Sequence, residues 1–348
     1  MDCASHQRYW IPRLSSLLRK SIGFFCVCLI LATTTLATAQ DLVLYSGRSK
    51  GLIEPILKQW EAQTGTRVRV RYGDTAQLAI ALQEEGSHST ADLFWAQDAG
   101  ALGALSKAGL LRILPDALIL RVAAPFQNPS GTWVATSGRA RVLAYSTERV
   151  KPEHLPASVF SLTQPHWKGQ VGWAPTNASF QAFVTAMRLA EGEKKTKAWL
   201  VAMKANGTKA YAKNTAIIEA IAAGEIDLGL NNHYYLLRFT QTNKNYPVAQ
   251  VFFAPTDIGN LVNVSGLGVL QSSRHPEQAE AFITFVLTNY AQQFFTNEVF
   301  EYPVTPNATP NSDLVSHDEL AQRAPKVNPE DLSDLPGTLQ LMREVGLL

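Results

Sequence analysis

Cysteine is nearly missing from this 348-residue chain: Cys3, Cys26 and Cys28 are the only three. Beyond Cys28 there is no thiol for a disulfide, a thiolate metal site or a cysteine nucleophile, so packing must supply the stability. Long apolar runs are missing as well. The one continuous stretch, residues 22–32, is shorter than the roughly 20 residues a bilayer span needs. It follows Arg8, Arg13, Arg19 and Lys20 and precedes Ala37-Thr38-Ala39, the layout of a secretory signal peptide. Residues 1–39 are therefore expected to be a signal peptide cleaved after Ala39, which would place the rest in the periplasm or another extracytoplasmic space. The long basic region leaves an uncleaved anchor as the alternative. No motif around Cys26 or Cys28 marks a lipid attachment point.

Excess charge is absent too. Without the four basic residues and one acidic residue of the presequence, 27 basic side chains face 28 acidic ones. No basic stripe suggests a nucleic-acid partner. The signatures of catalysis are equally scarce. The seven histidines, at 6, 88, 154, 166, 233, 275 and 317, form no HExxH pattern and accompany no nucleophile elbow, and nearly all read as surface histidines. Gly47 and Gly51 lack dinucleotide or P-loop spacing, and the acidic residues suggest no pair for acid–base work. The chain is not expected to be an enzyme.

What is present is alternation. Residues 41–45 (DLVLY) read as a strand, followed by SGRS and a helix through Leu52, Ile56, Leu57 and Trp60. A strand at 67–72, a helix at 75–85, a strand at 91–95 and a helix at 98–108 continue the series. A stretch rich in proline, glycine and asparagine at 125–133 breaks it before a strand at 141–145. A second series has strands at 170–173 and 227–231 and helices at 177–191, 195–205 and 215–223. A strand at 262–270, a helix at 276–288 and a last helix from near Pro336 complete the pattern. Such alternation predicts an α/β fold with a mostly parallel sheet flanked by helices, and about 309 residues suffice for two lobes. We expect an N-terminal lobe of residues 41–135 with 262–314 and a C-terminal lobe of 136–261 with 315–348. A single α/β domain without a cleft is the alternative.

The strand at 227–231 runs straight into Asn232-His233-Tyr234-Tyr235. Ligands collect outside the carboxyl ends of strands in open α/β sheets. Neighbours in a strand point to opposite faces, so both tyrosines reach one ligand only if the chain turns there. Phenolate is a hard oxygen donor that forms at neutral pH only where a strong cation displaces the proton, as ferric iron does. Two aromatics at a lobe interface, or stacked on an organic ligand, remain the alternative.

Together, YSGRSKGLIEPILKQWEAQTG at 45–65, ADLFWAQDAGALGALSKAGLL at 91–111, SGRARVLAY at 137–145, GWAPTNASF at 172–180 and NNHYY at 231–235 resemble the ferric-iron-binding periplasmic proteins of ABC importers. These belong to the two-lobed, type II-like periplasmic binding proteins. The resemblance covers essentially all of residues 41–348. It implies two α/β lobes joined by crossover hinge strands, closing on Fe³⁺ with a synergistic anion such as carbonate, for delivery by a monomer to a membrane permease.

Carried over by position, the resemblance implies Tyr234, Tyr235 and Tyr145 as metal ligands and Asn177, Ala178 and Ser179 as an anion-holding loop. Asn177 also suits a plain helix N-cap, and a helix start attracts anions in its own right. Three phenolates and a carbonate around Fe³⁺ would leave excess negative charge, for which Arg48, Arg139 and Arg141 are the candidate partners. The pattern departs in the first lobe. Ser49 stands where many relatives have a histidine ligand, and Gln97 where others have a glutamate. Ser49, Gln97, Asp98, Asn231 and Asn232 are second-rank cleft candidates. An organic anion such as a sugar phosphate, or a role as ligand-dependent partner of a sensor receptor, are the alternatives that the same fold allows.

Overall fold

The computed structural model of the chain describes residues 41–123 and 126–348; the expected signal peptide and its cysteines lie outside the described residues. β1 (Leu42–Ser46) is apolar almost throughout because both its faces are covered, and it leads into α1 (Lys50–Thr64). Ile53, Ile56, Leu57 and Trp60 form the buried stripe of that helix. β2 (Val68–Tyr72) and α2 (Thr75–Glu85) follow, the helix capped by the Asp74 carboxylate. β3 (Leu93–Ala96) is wholly buried and passes through Asp98, a second capping carboxylate, into α3 (Ala99–Lys107). After α4 (Asp116–Ile119) comes β4 (Val134–Ser146), the longest strand among the described residues.

The second series comprises β5 (Val171–Trp173), α5 (Ala178–Glu191), α6 (Glu193–Ala205), β6 (Lys209–Ala210) and α7 (Asn214–Ala222). β7 (Leu228–Asn232), α8 (His233–Thr242) and β8 (Val248–Val251) end it. β9 (Val262–Val269) then returns the chain, followed by α9 (Pro276–Val286), α10 (Asn289–Asn297), α11 (His317–Arg323) and α12 (Leu335–Glu344).

The strands form one sheet in the order β2-β1-β3-β9-β4-β7-β5-β6, with β8 on β4. Parallel pairing joins β1 to β2 and β3, and β5 to β6 and β7. The crossover strands β4 and β9 pair antiparallel with their neighbours, joining two halves whose own β/α strands run parallel. β4 spans both halves: Val134 to Ala140 pair with β9, and Arg141 to Tyr145 pair with β7. The apolar core divides along the same strand. One cluster gathers β1, β2, β3, β9, α9 and α10, and the others gather β5, β7, α5, α6, α7 and α12.

Two elements depart from the sequence reading. β4 begins at Val134, seven residues ahead of the expected strand, because Thr136, Ser137, Gly138 and Arg139 disguise a buried stretch as polar. The expected turn after residue 231 is a helix, α8, entered without a side-chain cap at Asn232.

A single 3₁₀ turn, Pro329–Ser333, bridges the two halves beside the carboxyl ends of the strands. It packs on α3 from one half and α5 from the other, with Leu332 buried. A side chain at Gly100 would drive its Cβ into the Leu332 carbonyl oxygen, and a backbone atom cannot rotate away. Within a helix, Gly→Ala ordinarily stabilises by about 1 kcal/mol. Gly100→Ala should instead destabilise by about 1–3 kcal/mol, the usual cost of overpacking, measured by urea unfolding. A stabilised variant would show that the turn moves aside freely.

Candidate functional site

In each half, the carboxyl ends of parallel strands feed directly into helices, and those junctions face one another. Gly47 and Ser49 after β1, Gly73 to Thr75 after β2, and Gln97 after β3 form one wall of a cavity of about 400 Å³. Thr176 to Ser179 after β5, with Tyr234, Tyr235 and Arg238 on α8, form the other. This is the crevice where open α/β sheets bind ligands. Gly47 has to be glycine, since a Cβ there would collide with Thr75 Oγ1.

Because α8 starts at His233, the tyrosines occupy its first turn. Successive helix positions are about 100° apart rather than opposed, so both rings reach the cavity. Their centroids lie 4.3 Å apart with planes inclined by 33°. Burial, then the neighbouring Tyr235, pushes the Tyr234 phenol well above its ordinary value. It therefore stays protonated at neutral pH. Arg238, one turn on, sets its guanidinium 5.1 Å from the Tyr234 ring centroid. Its Nη2 is buried without a hydrogen-bond partner.

His233 fixes the start of this helix, and it is buried, unlike the surface histidine the sequence suggested. The Ala140 amide donates to Nδ1 at 3.1 Å and Nε2–H donates to the Phe300 carbonyl at 2.7 Å. Both bonds suit the neutral ring, and burial pulls its pKa down to about 4. The tyrosine pair is thus pinned to the crossover strand and to the segment after α10.

The other expected site residues divide. Asn177 caps α5: its Oδ1 accepts from the Ser179 amide at 3.0 Å and from Ser179 Oγ at 2.6 Å. Ala178 and Ser179 line the cavity with it, and Ser49 and Gln97 line the opposite wall. Asp98 caps α3 away from the cavity lining, and burial pushes its carboxyl up against the pull of Arg139. Arg139 and Arg141 lie behind the tyrosines, 1% and 3% exposed. All three guanidinium nitrogens of Arg139, and Nε and Nη2 of Arg141, have no hydrogen-bond partner. Burial lowers the Arg141 pKa to about 9, although Tyr235 and Tyr234 pull it the other way. Strand register sets Arg141 opposite Asn232 and Arg139 opposite Asn263. Asn231, Asn232 and Asn263 also carry unpartnered buried amide atoms.

Two expectations fail on geometry. Tyr145 pairs with Leu228 at the far end of β4, four residues or about 13 Å from Arg141. There it packs against the core of the second half, so no tyrosine triad forms. Arg48 does not face the cavity as a free cation. It forms a two-pronged pair with Glu301, 2.8 Å at each oxygen, and donates to Gln97 Oε1 at 3.2 Å. Ser137 Oγ also donates to Glu301, at 2.5 Å.

Sequence reasoning missed Arg238, Asp74, Thr75 and Glu301. Arg238 had a signal, four residues after Tyr234, but only for a reader who had called α8 a helix. Glu301 had none, being 253 residues from Arg48. Among the described residues, no group of three or more His, Cys, Asp or Glu side chains is placed to hold a metal.

Burial alone would raise the Glu301 pKa, but Arg48, with Arg139 and Ser137, outweighs it and holds the carboxyl below its ordinary value of 4.5. The ion pair's stabilisation is therefore complete above that value and lost as pH falls through the lower folded one. Glu301→Gln, which leaves Arg48 buried without its counter-charge, should cost about 3–5 kcal/mol near neutral pH. In urea unfolding, the gap to wild type should narrow below about pH 4.5; a gap independent of pH would contradict this account.

Residues 88–328 match the family described as bacterial extracellular solute-binding protein. The Fe(3+)-binding periplasmic protein of Serratia marcescens is 34% identical, over 97% of this chain and 99% of its own length. The major ferric iron-binding protein of Neisseria meningitidis serogroup B is 32% identical, over 95% of this chain and 100% of its own. The solved structure of iron-bound HitA from Pseudomonas aeruginosa superposes with a TM-score of 0.83 at 33% identity, covering 88% of this chain and 99% of that one.

Proposed function

The chain belongs to the bacterial extracellular solute-binding proteins, and from that premise we propose that it captures ferric iron outside the cytoplasm and delivers it, as a monomer, to the permease of an ABC importer. One observation carries the reading. Two phenols stand side by side on the first turn of a helix, at the wall of a cavity that has no carboxylate–histidine cluster to compete for a metal. The relatives named above as ferric iron-binding proteins support the choice of cargo.

Tyr234 and Tyr235 are the proposed donors. Fe³⁺ displaces the phenol protons, and the phenolates so formed gain the favourable field of Arg141 and Arg238 behind and beside them. A small oxyanion such as carbonate would sit at the first turn of α5, Asn177 to Ser179, where the helix dipole and open amides attract negative charge. Closure of the two halves on the cargo would create the shape that the permease reads.

Ferric iron added to the purified protein should give a visible tyrosinate-to-iron charge-transfer band. Tyr234→Phe and Tyr235→Phe should each lose most of the band and weaken iron binding by more than about 100-fold, beyond the 10–100-fold typical of outer-sphere changes. Tyr145→Phe should leave both unchanged. Lowering the pH should release iron, because protons compete for the phenolates. A band that survives in both variants of the pair would sink the proposal.

A further inference from the structure

Gln97 lines the wall that faces the tyrosines, and its side chain is held at one end. Arg48 Nη1 donates to Gln97 Oε1 at 3.2 Å, while the Gln97 backbone amide donates to Thr75 Oγ1 at 3.2 Å. Arg48 is 1% exposed. A guanidinium has donors only, so the atom that Gln97 turns toward it has to be the oxygen. The Nε2 hydrogens are left for the cavity, and among the described residues nothing accepts from them. Arg48 in turn cannot swing aside: Glu301 grips it at 2.8 Å on both oxygens, and Ser137 Oγ donates to the same carboxylate. Glu301 follows Phe300, a buried residue at φ 61°. A bulky side chain adopts that left-handed backbone only where its surroundings impose it. The Phe300 carbonyl accepts from His233 Nε2 at 2.7 Å. Two consecutive residues thus brace both walls, the tyrosine helix through Phe300 and Gln97 through Glu301 and Arg48.

Resting on the reading of Tyr234 and Tyr235 as iron donors, we infer that Arg48 and Glu301 are positioning residues of this site: they lock Gln97 with its N–H groups toward the cavity, so that the first wall holds the exogenous anion on the iron and not the iron itself. An amide free to turn offers its carbonyl oxygen, a hard donor suited to a cation. Locked by Arg48, it offers hydrogens, which attract an oxyanion and repel a bare metal ion. The anion is then gripped from both sides, by Gln97 on this wall and by the first turn of α5 on the other. The arginine–glutamate pair sets which partner the wall accepts without touching either.

In the test, iron-free protein receives ferric iron in carbonate-free buffer, and the tyrosinate-to-iron band is followed as bicarbonate is added. In wild type the band should grow with bicarbonate. Gln97→Ala should raise the bicarbonate needed for half the band by about tenfold or more, the usual worth of a hydrogen bond to a charged acceptor. Gln97→Glu, which keeps the shape and the bond to Arg48 but presents an acceptor, should raise it at least as far. Arg48→Met with Glu301→Leu replaces the buried pair by apolar groups of similar size, a change that proteins often tolerate, and should raise the half-point by a similar factor. Adding Gln97→Ala to that paired variant should change nothing further, whereas independent contributions would multiply. A pair that only supports the fold would lower the unfolding temperature and leave the bicarbonate dependence alone, which would overturn the inference, as would multiplying effects. Gln97→Glu that uses bicarbonate as wild type does would overturn it too, and that result does not depend on whether the paired variant folds. A wild-type band that needs no bicarbonate would overturn it while leaving the tyrosine donors in place. No wild-type band at any bicarbonate concentration would remove the reading of Tyr234 and Tyr235, and this inference with it.

Discussion

Everything in the site depends on the register of one strand. β4 is hydrogen-bonded to β9 along its first half and to β7 along its second, so it belongs to both halves of the molecule. The pairing of Arg141 with Asn232 fixes where β7 ends, and α8 begins at the next residue. The position of both phenols follows from that one pairing. His233 reinforces it by bonding the crossover strand at Ala140 and the chain after α10 at Phe300. A slip of one residue would turn every side chain of β4 to the opposite face, setting Ala140 and Val142 where the arginines now stand.

The same register produces an unusual electrostatic layer. Arg139 and Arg141, with Asn232 and Asn263 opposite them, form a buried polar row in which the side-chain nitrogens lack partners except for Arg141 Nη1, which reaches the Ser179 carbonyl at 3.5 Å. Burying an uncompensated charge is costly, and native proteins accept that cost mainly where function requires it. Arg48 shows how the fold treats a structural arginine: a two-pronged carboxylate, with a serine hydroxyl on that carboxylate. Against that standard, Arg139 and Arg141 are left open. Phenolates formed at Tyr234 and Tyr235 would supply the missing negative charge, so the layer favours the ionised pair that a ferric ion requires.

The α/β alternation was legible because covered strands such as 42–46 and 93–96 leave an apolar signature, and helices such as α1 show their stripe at regular spacing. The tyrosine pair was legible for a similar local reason. What escaped depended on distance or on context. Tyr145 is close to the arginine motif in sequence, but an extended strand converts four residues into about 13 Å. Arg48 looked like a free cleft cation because nothing near it in sequence announces Glu301. Arg238 was hidden by reading a turn where the chain starts a helix, since two tyrosines and a histidine are weak helix formers and tertiary contacts at His233 decide the matter.

The departures at Ser49 and Gln97 also bear on how such a site would open. If both halves supplied metal ligands, separating them would mean breaking metal–protein bonds in step with the hinge motion. Here the facing wall carries hydroxyl, amide and backbone groups, whose bonds to a bound anion exchange readily with water and have a modest net strength of about 0.5–1.5 kcal/mol each. The 3₁₀ turn at Pro329–Ser333, seated on both α3 and α5, adds an apolar contact between the halves that does not involve the cargo. On the proposed function, closure would then draw on many weak interactions rather than on a few coordination bonds. In the proposed site, phenolates of Tyr234 and Tyr235 would hold the metal while the facing wall lets go, leaving the metal on one half and exposed to whatever removes it next.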